Sequence, residues 1–356
     1  MKGKHGFVLM VIAGILSVHC PLNGQSLALK NAQSWQLTGR VQLQHLFNSD
    51  IASDAAKTRQ GFRIRRGRLQ VKAKLNQHIE TKFQIEVRDN NPRLKDAEGK
   101  LKFKDGLYFR FGQFKVPVWR EELRSSSKLF LVERSLAAEF LVDYRLSARS
   151  IGVELGKKLK NGGMFAVNYS NGAGEGGRED AGRSKSTFVN NGKLITARLD
   201  VPVGNKVKIG ISGALQRAGR KIGADDNTGN ITLVAPDFGL YLKAGQSQRI
   251  DIEGGLALGK IAGSLTDAGN DQSFTLFEVS GRWHKKLTSP RDDLAGLDAI
   301  EFAVGYSLVD EATSVSAFRF GPAAYFGKHA RLQINAEIED GDSSQFRIRS
   351  QFTVNF

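Results

Sequence analysis

Phe346-Arg347-Ile348-Arg349-Ser350-Gln351-Phe352-Thr353-Val354-Asn355-Phe356 is the last stretch of the sequence, and its alternation decides the fold. Phe346, Ile348, Phe352, Val354 and Phe356 fall on one face, broken only by Ser350. Arg347, Arg349, Gln351, Thr353 and Asn355 fall on the other. A period of two, with aromatics on one side and ions on the other, describes a strand between two unlike environments.

The same pattern recurs upstream. Leu37, Val41, Leu43 and Phe47 oppose Gln36, Thr38, Arg40, Gln42 and Gln44. Ile79, Phe83, Ile85 and Val87 oppose Glu80, Lys82, Gln84, Glu86 and Arg88. Val207, Ile209, Ile211 and Leu215 oppose Lys206, Lys208 and Ser212, and Leu332, Ile334, Ala336 and Ile338 oppose Arg331, Gln333, Asn335, Glu337 and Glu339. So charged a face is foreign to a protein core and natural for the wall of an aqueous channel, with the apolar face toward lipid. About sixteen such segments are expected, centred near residues 41, 68, 84, 98, 111, 153, 167, 196, 211, 238, 254, 280, 303, 320, 335 and 351. Short turns follow the even-numbered strands, as at Lys104-Asp105-Gly106 and Asn161-Gly162-Gly163, and longer loops follow most odd-numbered ones. A long turn near 287–297 breaks that rule. The expected fold class is all-β: a transmembrane antiparallel barrel with both termini on the short-turn, periplasmic side.

Composition agrees. The 356 residues are 40% hydrophobic and hold 39 glycines but only 7 prolines, a balance suited to strands and tight turns rather than disorder. Lys2 and Lys4 followed by the apolar stretch Phe7 to Val18 read as a secretory signal, with cleavage expected after Gly24. Residues 1–24 are then a signal peptide and residues 25–356 the barrel. The single Cys20 lies in the signal, and His19 before it argues against lipidation, so the mature chain is expected to lack thiol chemistry and disulfides. Phe356, after alternating apolar residues, resembles the signal that outer-membrane proteins present to the barrel assembly machinery.

Formal net charge is +16, and removing Lys2 and Lys4 leaves about +14. The basic excess is densest from Lys57 to Lys74, which holds Lys57, Arg59, Arg63, Arg65, Arg66, Arg68, Lys72 and Lys74 without an acidic residue. Alternation slips by one at Gly67, so a bulge near Arg66-Gly67 is expected to keep most cationic heads on one face. Same-face residues of a strand lie ~7 Å apart, giving a ladder of cations that an anion can climb and a cation cannot. A solvated rim is the plainer reading of the same residues. The long segment 117–147 carries Arg120, Arg124, Lys128, Arg134 and Arg145 beside Glu121, Glu122, Glu133, Glu139 and Asp143. It is expected either to fold into the pore as a constriction, with ion pairs fixing it against the wall and Arg120, Arg124 and Arg134 among the cations that line the pore, or to be an ordinary external loop.

Catalysis finds little footing. His45, His78, His284 and His329 sit in no nucleophile motif, no HExxH or CxxC occurs, and Asp225-Asp226-Asn227 lacks the remaining spacing of a calcium loop. The expectation is a non-enzyme with no cofactor and no bound metal. Nucleic acid is not an expected partner, since no binding motif accompanies the basic run. The glycines at 172, 174, 176 and 177 read as a flexible external loop rather than a phosphate cradle.

Several stretches resemble the phosphate-selective porin O and P family. Phe62-Arg63-Ile64-Arg65-Arg66-Gly67-Arg68-Leu69-Gln70-Val71-Lys72-Ala73-Lys74-Leu75 is similar to its arginine-rich early strand. Gly112-Gln113-Phe114-Lys115-Val116-Pro117, Glu133-Arg134-Ser135, Arg149 before Ile151-Gly152-Val153, and Tyr169-Ser170-Asn171-Gly172 resemble its later signatures. The likeness runs over residues 60–172. It implies a sixteen-stranded diffusion pore in outer-membrane lipid, commonly a homotrimer, whose basic constriction favours small anionic solutes such as phosphate. The expected function is that of such a porin. The rival is a structural or adhesive barrel with a closed lumen, because lumen charges can also pair and plug a pore.

Overall fold

The computed structural model describes residues 32–49, 60–88, 91–177, 192–219, 221–222, 225–226, 228–342 and 344–356. The expected signal peptide, with Cys20, lies outside the described residues, as do Lys57 and Arg59 of the basic run.

Sixteen long strands form where the apolar and polar residues alternate. They are β1 (Ser34–Asn48), β2 (Gln60–Lys74), β3 (Ile79–Arg88), β4 (Asn91–Lys102), β5 (Leu107–Lys115), β6 (Arg149–Lys158), β7 (Met164–Ser170) and β8 (Leu194–Val203). There follow β9 (Val207–Ala218), β10 (Gly229–Ala244), β11 (Gln248–Ile261), β12 (Gln272–Arg291), β13 (Leu297–Asp310), β14 (Ser314–Phe326), β15 (Ala330–Asp340) and β16 (Gln345–Asn355). Each pairs antiparallel with its neighbour in sequence, and β1 closes the barrel on β16 in the register Arg40↔Asn355 to Asn48↔Arg347. Every expected strand centre falls inside a strand. The long turn expected near 287–297 is corrected: β12 runs on to Arg291, leaving Asp292 to Gly296 as the connection. The bulge on β2 is one residue earlier than expected, since Gln42 pairs Arg66 and Leu43 pairs Ile64, which leaves Arg65 as the extra residue.

Closure leaves the sixteen-stranded sheet without an edge, so its backbone can sit in lipid without an unpaired polar row. Leu43, Ile64, Phe83, Leu155, Ile211, Phe302, Ile334 and Phe352 are all exposed on the outer face. In water so continuous an apolar surface would aggregate; around a membrane barrel it is the lipid-facing band. No helix among the described residues is long and apolar enough to cross a membrane. Phe356 pairs with Gly39 through both backbone hydrogen bonds, and its ring covers the space a side chain at Gly39 would fill.

The core lies inside the barrel. Between β5 and β6, residues 116–148 enter the lumen and carry a short α1 (Arg120–Leu123) and α2 (Leu136–Asp143). Ser135 starts α2 by accepting the Ala138 N–H on its hydroxyl at 3.1 Å, the usual way to satisfy an orphan donor at a helix start. Val118, Trp119, Ala137, Phe140, Leu141 and Leu146 then pack against Leu194, Ile231, Leu233, Ile261, Phe274 and Leu276 of the inner wall. That part of the wall, on β8 to β12, is apolar where it faces the inserted helix, while Arg198, Asp237 and Glu253 on the same strands also point inward beside it.

At the root of this segment Gly112 has φ +111°, and a Cβ there would lie 2.1 Å from the carbonyl oxygen of Ala97 and 3.0 Å from Cα of Glu98. Both are backbone atoms that cannot swing aside. Gly112→Ala is therefore expected to destabilise the barrel by about 1–3 kcal/mol, read as a lower urea midpoint for the folded form in lipid vesicles.

Candidate functional site

With residues 116–148 filling one side, a cavity of about 1120 Å³ remains against β1 to β6. Fifteen cationic and eight anionic side chains line it, among them Arg40, Arg65, Arg66, Arg68, Lys72 and Arg149 on the cationic side.

The strands place these charges by simple alternation, modified at two bulges. The extra residue at Arg65 turns both Arg65 and Arg66 inward, after which Arg68, Gln70 and Lys72 continue the inner face. On β4 the register slips between Gln84↔Asp96 and Ile85↔Leu94, so Lys95 is extra and both Lys95 and Asp96 reach the cavity. Antiparallel register then sets like charges opposite one another: Arg40 faces Arg68, and Lys72 faces Lys82. Like pairs side by side repel, and carboxylates from neighbouring strands relieve part of that repulsion. Glu86 accepts from Arg68 Nε, Lys82 sits 3.4 Å from Asp96 and 2.9 Å from Glu98, and Arg149 binds both oxygens of Asp96 at 2.8 and 3.1 Å. Lys72 has no carboxylate partner among the described residues. Arg40 donates to hydroxyls instead, at 2.9 Å to Ser126 and 2.7 Å to Ser127, and Arg68 also reaches Ser126 at 3.2 Å.

Glu133 fastens the inserted segment to this ladder. Its carboxylate takes a forked pair of bonds from Arg65, at 2.6 and 2.9 Å, a third from Gln44 at 3.0 Å, and lies 3.6 Å from Arg66. Burial alone would raise its pKa. The charges of Arg65 and Arg66 and the bonds from Arg65 and Gln44 outweigh that and hold it far below the usual carboxylate range. Glu122 is held down in the same way: burial acts against ionisation, and Arg134, at 2.6 Å, and Lys115 overcome it. The backbone of 129–133 is satisfied from β15: Arg331 donates to the Leu129 carbonyl at 3.0 Å, Gln333 to that of Phe130 at 3.1 Å, and Asn335 accepts from the Val132 N–H at 2.6 Å.

The residues singled out from the sequence divide. Arg65, Arg66, Arg68, Lys72 and Arg134 line the cavity. Arg63 donates to Gln44 and stands 3.8 Å from Glu133. Lys74 belongs to an adjoining cavity of about 420 Å³ beside Glu80 and Lys100. Arg120 and Arg124, expected to face solute, are instead turned to the opposite wall. Arg120 bonds Asp237 and Asp200, each at 2.8 Å, and Arg124 bonds Glu253. Asp200 and Asp237 also hold Arg198, and the apolar packing of α2 on that wall leaves the two loop arginines beside its acids. Arg40, Lys95, Ser126 and Glu175 were missed. Strand β4 is too polar for its sequence to show the slip that turns Lys95 inward, and nothing in the sequence brings Ser126 to Arg40. Among the described residues no group of His, Cys, Asp and Glu is arranged to hold a metal. The arrangement surrounds the open cavity with an excess of fixed positive charge, which raises the local potential felt by small ions.

The family profile described as phosphate-selective porin O and P matches residues 36–229. A search of curated protein sequences finds no significant match. Among solved structures, the anion-selective porin from Comamonas acidovorans aligns with a TM-score of 0.64 at 13% identity, covering 91% of this chain and 99% of that one. Salmonella typhi OmpF in complex with daunomycin aligns with a TM-score of 0.65 at 11% identity, covering 92% and 99%. The trimer form of Vibrio cholerae OmpT gives 0.59 at 11% identity, covering 91% and 99%. At such identities these three likenesses speak for the fold alone.

Replacing Glu133 by Gln takes the carboxylate from Arg65 and leaves Arg66 only Glu86, 4.0 Å away, a loss of about 3 kcal/mol where a buried pair is broken. Amide exchange across residues 129–136 in the folded protein is expected to quicken by about 100-fold in Glu133→Gln while exchange in the barrel strands stays unchanged.

Proposed function

The chain belongs to the phosphate-selective porin O and P family and is a channel of the Gram-negative outer membrane, and from that premise we propose that it passes small solutes passively with a preference for anions such as phosphate. The observation that carries the preference is the lining of the main cavity, fifteen cationic side chains against eight anionic ones. The excess is concentrated where Arg40 and Lys72 stand without carboxylates, so these two, with Arg65, Arg66 and Arg68, form the anion path. Residues 117–147 are its constriction. Arg120 and Arg124 serve there as anchors of the constriction rather than as contacts for solute.

The chain works as a homotrimer in this reading, the state named for the Vibrio cholerae structure. It acts in transport and not in catalysis: His284 lies 3.5 Å from Glu301 and edge-on to Tyr325, and His45 packs on Phe62, which are structural contacts. Residues 1–24 are a cleaved signal peptide, and Phe356, seated on Gly39 at the closing seam, is the mark read by the barrel assembly machinery. The number of ion pairs inside the barrel favours one second reading, a closed structural barrel.

Single-channel recording in planar bilayers separates the two. Discrete conductance with a reversal potential of anionic sign in a salt gradient is expected. Changing Arg63, Arg65 and Arg68 together to Glu should reverse that sign. Because those changes also disturb Glu133 and Glu86, Lys72→Glu serves beside them: it breaks no ion pair and should weaken the preference without affecting folding. Conductance with cationic sign refutes the anion preference, and folded protein without conductance supports the closed barrel.

A further inference from the structure

The glycine-rich stretch after β7 does not stay outside the barrel. Gly172, Gly174 and Gly176 have φ of +65°, +78° and +69°, values that other residues adopt at a cost. They fold residues 171–177 back against the inner wall. The Gly172 N–H donates to Ser150 at 3.1 Å, and the Gly176 N–H donates to the side-chain oxygen of Gln113 at 2.7 Å. A Cβ on Gly174 would come 2.9 Å from Cδ of Arg145, so the turn also rests on the constriction segment.

This turn delivers one charged side chain, Glu175, into the main cavity. Its Oε2 lies 2.5 Å from Nζ of Lys95, which stands 3.6 Å from Glu86. Its other oxygen, Oε1, is buried and has no hydrogen-bond partner among the described residues. Gln113, which holds the turn, also donates to the carbonyls of Leu94 and Lys95 at 2.7 and 2.8 Å and so fixes the bulge that aims Lys95 inward. One glutamine thus ties the turn to the lysine it covers. A half-satisfied carboxylate is a poor structural ion pair, because the unpaired oxygen keeps its desolvation cost. It is a good stand-in for a transient anion, since it can be displaced.

We propose that Glu175 is a tethered competitor: its carboxylate occupies an anion-binding step at Lys95, the step that small carboxylates and oxyanions in the lumen would use, and so lowers the pore's affinity for them. This rests on the anion-favouring reading above. The tether sets a high local concentration of the built-in anion, so a solute must displace Glu175 before it can bind.

Calorimetric titration of inorganic phosphate into the folded protein in detergent tests this, with the reversal potential of the unaltered protein measured alongside. Glu175→Gln should bind phosphate about five-fold more tightly, the scale of one partly exposed ion pair, and adding Lys95→Gln should abolish the gain. Glu175→Asp, which keeps the charge on a shorter arm, should fall between and serves if the Gln variant does not fold. Phosphate affinity in Glu175→Gln within about two-fold of the original, or no binding in either, overturns the proposal. A gain that survives Lys95→Gln overturns the assignment of the step to Lys95. A cationic reversal potential with the five-fold gain intact refutes the anion preference and leaves Glu175 in its role.

Discussion

Everything in this molecule follows from the need to pair each backbone N–H and C=O inside a membrane. Sixteen strands meet that need only because β1 finds β16 and the ladder closes without an edge. Closure then imposes the alternation, since each strand must show lipid one side chain in two. The inward half is left to face water, and a barrel of this girth is too wide for side chains alone to fill. The segment between β5 and β6 takes up part of that space. Its apolar face needs an apolar patch of wall, so β8 to β12 turn alanine, leucine and isoleucine inward beneath it, alongside acids such as Asp237 and Glu253.

That division of the lumen decides its electrostatics. On the side filled by the inserted segment, acids of the wall meet arginines of the segment: Asp200 and Asp237 with Arg120, Glu253 with Arg124. On the open side the strands supply an excess of cations, and the segment contributes acids, chiefly Glu133 and Glu122. Each contact is a charge taken partly out of water and therefore needs a partner. Pairing runs across strands and between segment and wall, and the cations left over line the open path. The inserted segment is thus held by arginines that also line the open cavity, which couples its position to the charge of that lining.

Two bulges show how little sequence is needed to change a lining. One extra residue at Arg65 and one at Lys95 each turn two consecutive charged side chains inward. The first was legible, because the phase of Phe62 and Ile64 disagrees with that of Leu69 and Val71. The second was not, because β4 is so polar that its alternation is faint. It is also the bulge that brings Lys95 under Glu175.

The sequence by itself determined the barrel, the strand positions and the face each strand shows to lipid, because a period of two survives in the chain whatever the neighbours are. It also located the basic run on β2 and the long insertion after β5. Only the tertiary structure decided which charges stay available. Arg120 and Arg124 look like Arg65 and Arg68 in the sequence, yet the first two are spent on Asp237, Asp200 and Glu253, and Lys72 differs from Lys82 only in what lies across the sheet. The reason is physical: alternation is a local property of the backbone, whereas the fate of a charge depends on partners that closure brings together from distant parts of the chain.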